Sequence, residues 1–161
     1  MNTKRNILIT LAISLLALLA LVGFMQVRSA QAESSNRLVG TWVCDVPGEP
    51  AFRALQTFHA DGTFTETSSL LAIGQEGPAH GAWKRNGSEY NLTFQLFAFD
   101  PDTTESTGMF RVRIRLQVDS ATHLTATYGI VEFIEPDGTI IELFQGPDTY
   151  TCDRLEVVPV P

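Results

Sequence analysis

The side chains able to do acid–base or metal chemistry are thinly spread in this 161-residue chain. Its three histidines, His59, His80 and His123, stand too far apart for metal-ligand spacings such as H-x-H or H-E-x-x-H. His59 and His123 lie beside turns, where an exposed histidine needs no special role. His80, just before Gly81-Ala82-Trp83, is the one candidate acid or base, with Tyr128 or Glu132 as partner if it points inward. Arg111, Arg113 and Arg115 alternate with Phe110, Val112, Ile114 and Leu116. Facing inward, they would clamp a carboxylate or phosphate; facing outward, they would pair with acids on neighbouring strands. The cost of desolvating three arginines favours the outward arrangement. Asp100 and Asp102 flank Pro101, a pattern that makes a turn and also suits weak calcium binding. There is no G-x-S-x-G and no glycine-rich phosphate loop. The sequence therefore assigns no catalytic residue, no metal and no cofactor.

The two cysteines, Cys44 and Cys152, fall near opposite ends of the region rich in strand patterns. If their strands are antiparallel neighbours with Cys44 opposite Cys152, opposite positions sum to a constant and Trp42 meets Arg154. Side chains alternate faces, so Gly40, Trp42 and Cys44 share one face, as do Cys152 and Arg154. A guanidinium there would stack on the indole. A disulfide at this place would clip the seam between the first and last strands of a closed barrel. Two unpaired core cysteines, or a diagonal pairing that shifts the Trp42–Arg154 match, are the alternatives.

Gly40-Thr41-Trp42 resembles the G-x-W motif that opens the first strand of lipocalins and related calycins. In that family a basic residue from a late strand packs across the tryptophan at the closed end of the barrel, and Arg154 occupies the matching place. The resemblance runs from about Arg37 to Val157. It implies a barrel that binds a small hydrophobic molecule, with Trp42 and Arg154 in structural roles. A second resemblance, to the allene-oxide-cyclase-like barrel, rests on size and strand count.

The N-terminus reads as an export signal. Lys4 and Arg5 precede a nearly continuous apolar run from Ile7 to Phe24, and Ala30-Gln31-Ala32 supplies an A-x-A site. We expect residues 1–32 to be a secretory signal peptide cleaved after Ala32, leaving 33–161 as a single β-barrel domain. An uncleaved anchor is the rival reading, since the run approaches spanning length. Cleavage removes three of the 11 basic side chains and none of the 18 acidic ones, moving the formal charge from −7 to −10. That balance argues against nucleic acid and against stable association with an anionic membrane. A secreted or periplasmic location also favours a Cys44–Cys152 disulfide.

The rest of the chain alternates between strand patterns and turn residues. Strands are predicted at about 38–46, 52–59, 63–73, 80–84, 89–99, 107–118, 123–134, 139–144 and 150–157. Asp61-Gly62, Asn86-Gly87 and Pro136-Asp137-Gly138 mark hairpins, because these residues tolerate positive φ. The fold class is all-β: one antiparallel up-and-down barrel of 8–9 strands, lipocalin-like.

The predicted interior aromatic set is Trp42, Phe58, Phe64, Trp83, Phe94, Phe110 and Tyr128. In a filled barrel these residues are core. In a barrel open at one end, Phe58, Phe64, His80, Trp83, Phe94, Phe110 and Tyr128 line an apolar pocket. Strand five carries Phe97 and Phe99 on its second face, which a covering loop or a homo-oligomer would bury. The expected function is to bind or carry a small hydrophobic molecule. The alternatives are a barrel-fold cyclase or isomerase acting on an apolar substrate, and an interaction module with a filled barrel.

Overall fold

A hairpin forms where two alternating runs flank residues that accept positive φ, and the chain repeats this device down its length. The computed structural model describes residues 37–160 apart from 49, 75 and 147. The expected signal peptide, residues 1–32, lies outside the described residues. The strands are β1 (Gly40–Val46), β2 (Phe52–Phe58), β3 (Thr63–Ser68), β4 (Ala79–Asn86), β5 (Glu89–Phe99), β6 (Ser106–Val118), β7 (His123–Ile134), β8 (Ile140–Gln145) and β9 (Thr149–Arg154). Each of β1 to β7 pairs antiparallel with the next, β7 also pairs with β9, and β9 pairs with β1. Eight strands thus close a barrel and leave no edge in the ring. The ninth, β8, stands outside the ring, paired with Ile130–Ile134 of β7.

The third strand is shorter than its pattern predicts. Ser68 ends β3 and caps a 3₁₀ turn, Ser69–Ile73, by accepting a hydrogen bond from the Leu70 amide at 3.0 Å; Gly74 closes it at φ +71°. A serine hydroxyl that satisfies the backbone locally competes with the sheet ladder. The last strand likewise ends at Arg154 rather than Val157.

The two ends of the barrel differ. One is sealed by the tight turns after β2, β4 and β6, with Gly62 at φ +88° and Gly87 at φ +65°. The other carries the longer connections, after β1, β3 and β5, and the β7–β8 hairpin. The sealed end is filled by apolar side chains, among them Leu38, Trp42, Phe58, Phe64, Leu116 and Leu124, all fully buried.

Closure follows the register deduced from the cysteines: Cys44 lies opposite Cys152 and Trp42 opposite Arg154. Cys44 and Cys152 form a disulfide inside the barrel wall. The Trp42 indole donates to the Leu38 carbonyl at 2.9 Å, and the Arg154 guanidinium sits 4.2 Å over its ring. Arg154 also donates to the carbonyls of Val39 (2.8 Å), Ala121 (2.7 Å) and Arg37. One side chain thereby ties the entering chain to the β6–β7 turn. Gly40 explains the first letter of its motif: at φ +132° a Cβ there would lie 2.6 Å from Arg154 Nη1. Because a single ammonium cannot reproduce this planar fork, Arg154→Lys should cost about 2 kcal/mol of stability. Equal urea midpoints for the wild type and this variant would contradict the assignment.

Candidate functional site

Alternation on the β2–β3 hairpin turns polar side chains into the barrel. Phe58 opposes Phe64, so two residues further along Gln56 opposes Glu66, and Ala54 opposes Ser68. Gln56 and Glu66 are buried, and β9, separated from β2 only by β1, adds the buried Tyr150. The Gln56 amide donates to Glu66 Oε2 at 2.7 Å and to the Tyr150 hydroxyl at 3.0 Å. Tyr128 packs its ring 5.2 Å from that of Tyr150. The Ser68 hydroxyl donates to the Glu76 carboxylate, which reaches in from the β3–β4 connection.

Electrostatics follow from burial. Desolvation pushes the Glu66 carboxyl up to about 7; the Gln56 hydrogen bond opposes this in part, and the Glu76 charge adds to it. Burial also raises Glu76, against the pull of the Ser68 hydrogen bond. The Tyr128 and Tyr150 phenols rise above their ordinary range for the same first reason, so both stay protonated donors at neutral pH.

The long-loop end opens into a cleft of ≈ 550 Å³. Its wall is apolar, from Phe52, Ala98, Phe99, Phe110 and Phe133, with Gly48, Pro50, Leu70, Pro101 and Thr107 around it. Glu76 is the acid in that wall. The cleft therefore meets the polar interior through Glu76, an arrangement suited to a molecule with an apolar body and one polar head.

The structure distributes the sequence-predicted pocket residues unevenly. Phe110 lines the cleft, and Tyr128 joins the polar group. Phe58, Phe64 and Phe94 form a chain of ring contacts at 5.0 and 5.3 Å, and Trp83 packs edge-on to Phe58 and Tyr90, its indole donating to the His59 carbonyl. These four belong to the core of the sealed half.

His80 requires a correction: it is exposed, between the buried Ala79 and the inward-facing Gly81, so it meets neither Tyr128 nor Glu132. Glu132 also faces outward. Gly129 is an extra residue in β7, since Arg113 pairs with Ile130 and Ile114 with Tyr128. The bulge shifts the alternation, keeping Tyr128 inside while turning Glu132 out. There Glu132 accepts from Arg111 at 2.6 Å and Arg113 at 3.0 Å, and Arg111 holds its carboxyl below the usual range. Arg115 reaches Glu89 at 3.6 Å, so the strand-six arginines take their outward arrangement. Phe97 is 53% exposed, whereas Phe99 turns into the cleft wall.

Asp100 serves its own loop by accepting from the amides of Asp102 and Thr103. Among the described residues no three His, Cys, Asp or Glu side chains converge on a metal position.

Sequence reasoning passed over Gln56, Glu66, Ser68, Glu76 and Tyr150. The first three were accessible: once Asp61-Gly62 sets the hairpin, Phe58, Gln56 and Ala54 must share a face with Phe64, Glu66 and Ser68. Glu76 and Tyr150 reach the site from a loop and from a strand brought in only by closure.

Fold and site together define a closed eight-stranded antiparallel barrel with one accessory strand, an apolar mouth and a buried polar group behind it. Comparison with known proteins assigns it to no family: no family model matches the chain, and no curated protein and no solved structure matches it.

Proposed function

We propose that this protein is an exported, lipocalin-like barrel that binds a small, largely apolar molecule in its mouth. The observation carrying this reading is the cleft of ≈ 550 Å³ walled by Phe52, Phe99, Phe110 and Phe133, with Glu76 as the acid in its wall. Affinity would come from apolar area removed from water, at about 25 cal/mol per Å² before the costs of association. The polar group would set the orientation of the ligand. The Gly40-Thr41-Trp42 motif, the Arg154 stack and the barrel support the lipocalin-like reading. The disulfide and the N-terminal pattern support a secreted or periplasmic location.

A specific observation also favours a second reading, a cyclase or isomerase on this barrel. A carboxyl brought to about 7 beside an apolar cleft is matched to general acid–base work near neutral pH.

The test of binding is a titration with Nile red, a neutral apolar dye. The wild type should shift its emission to the blue with saturable, micromolar binding. Thr107→Trp places an indole at an exposed position of the cleft wall and should weaken binding at least tenfold with the fold intact by circular dichroism. Unsaturable binding, or equal binding by the variant, would rule out the mouth as the site.

A further inference from the structure

Glu76 stands half-buried in the wall of the apolar cleft, Glu66 lies buried in the interior beyond it, and no base has been brought to either. Ser68 follows Glu66 by two residues on the same inward face, about 7 Å along the strand. Glu76 is held on the Ser68 hydroxyl, so the two carboxyls flank one short stretch of the interior. Among the described residues no Lys, Arg or His forms an ion pair with either. The strand-six arginines are committed on the outer face. Arg85 is six residues, roughly 20 Å, along β4 from Ala79, the residue paired with Glu66.

Buried carboxylates are ordinarily paired, and an unpaired one is costly. Here the partners are a neutral amide and a hydroxyl, which leave acceptor capacity unused.

We infer that the ligand of this cleft carries an amine: an ammonium head seated between Glu66 and Glu76, with an apolar body among the phenylalanines of the mouth. The inference rests on the binding reading above and names the chemical class of the head group. A carboxylate head would meet two acids, and a neutral head would forgo the ionic attraction. An ammonium offers three donors to a site that is mainly acceptors. It also compensates the desolvation that holds Glu66 near 7, so the bound amine keeps Glu66 ionised.

Three probes with one body separate the possibilities: 2-(1-naphthyl)ethylamine, 2-(1-naphthyl)ethanol and 1-naphthylacetate, titrated calorimetrically at pH 7.5 and 0.15 M salt. The amine should bind at least tenfold tighter than the alcohol, and the acetate should be weakest. Glu66→Gln and Glu76→Gln should each remove most of the amine's advantage while leaving alcohol binding within twofold. Glu142→Gln, at an exposed position on β8, should change nothing. Equal binding of amine and alcohol would overturn the amine inference and leave the cleft as an apolar site. An amine preference that survives both interior substitutions would overturn it too, by assigning the preference to overall negative charge. Absence of binding by all three, together with a failed Nile red titration, would remove the cleft reading itself.

Discussion

Cys44→Ala/Cys152→Ala should lower the unfolding free energy by about 4–5 kcal/mol, the largest single effect expected in this protein. The two residues are 108 apart in sequence. Tying them removes much of the freedom of the unfolded chain, and the chain-entropy relation gives roughly 4.7 kcal/mol for a loop of that size. Position adds to length. β9 is only six residues long and meets β1 over four pairs, Trp42–Asp45 with Thr151–Arg154. With four pairs the seam equals the β3–β4 ladder as the shortest in the ring, and it joins the two strands most distant in sequence. Alanine is the informative replacement, because a serine hydroxyl in this buried place would add an unsatisfied polar group. The melting temperature should fall on the order of 15 °C, given a few degrees per kcal/mol for a domain of this size. In urea the midpoint should drop and the slope should rise, since the unlinked unfolded chain exposes more surface. A loss below about 1 kcal/mol would mean that the seam is held by its ladder and by Arg154 alone.

The second large effect depends on pH. The Glu66 carboxyl titrates near 7 in the folded protein against an ordinary 4.5. Between those values the native state keeps a proton that the unfolded chain has released. Stability from this group is therefore fully present below about pH 4.5 and is lost as pH rises through 7. At 1.36 kcal/mol per unit, the loss is roughly 3 kcal/mol. Glu66→Gln keeps an acceptor for the Gln56 amide and carries no charge at any pH. The variant should match the wild type near pH 4 and exceed it by roughly 3 kcal/mol at pH 8, as read from urea midpoints across that range. Glu76 shifts in the same direction, so Glu66→Gln/Glu76→Gln should flatten the profile further. Parallel profiles for the wild type and Glu66→Gln would show that water reaches Glu66 and that its burial is only apparent.

These two effects come from opposite sides of what the amino-acid order reveals. The disulfide, the Trp42–Arg154 stack and the barrel were legible because they depend on local periodicity and on one arithmetic rule. Strand alternation of period two marks the elements; Asp61-Gly62 and Asn86-Gly87 mark hairpins; antiparallel pairing of Cys44 with Cys152 forces Trp42 opposite Arg154. The strand-six arginines were legible on energetic grounds, since burying three guanidinium groups without partners is prohibitive. What the order of residues left open was which faces point inward once the alternation is interrupted. The bulge at Gly129 turned Glu132 away from the interior, and a serine cap converted the end of a predicted strand into a 3₁₀ turn that carries Glu76 toward the site.

The sequence by itself determined the strands, most of their turns and the closing register, because each is set by neighbours in the chain or by a pairing that two cysteines and one tryptophan constrain. Only the tertiary structure decided the site. Gln56 and Glu66 come from one hairpin, Tyr128 from a strand about 60 residues later, Tyr150 from the closing strand and Glu76 from a loop. No spacing along the chain links them. They meet because ring closure brings the last strand beside the first, and their shared burial then gives Glu66 a chemistry that no isolated glutamate has.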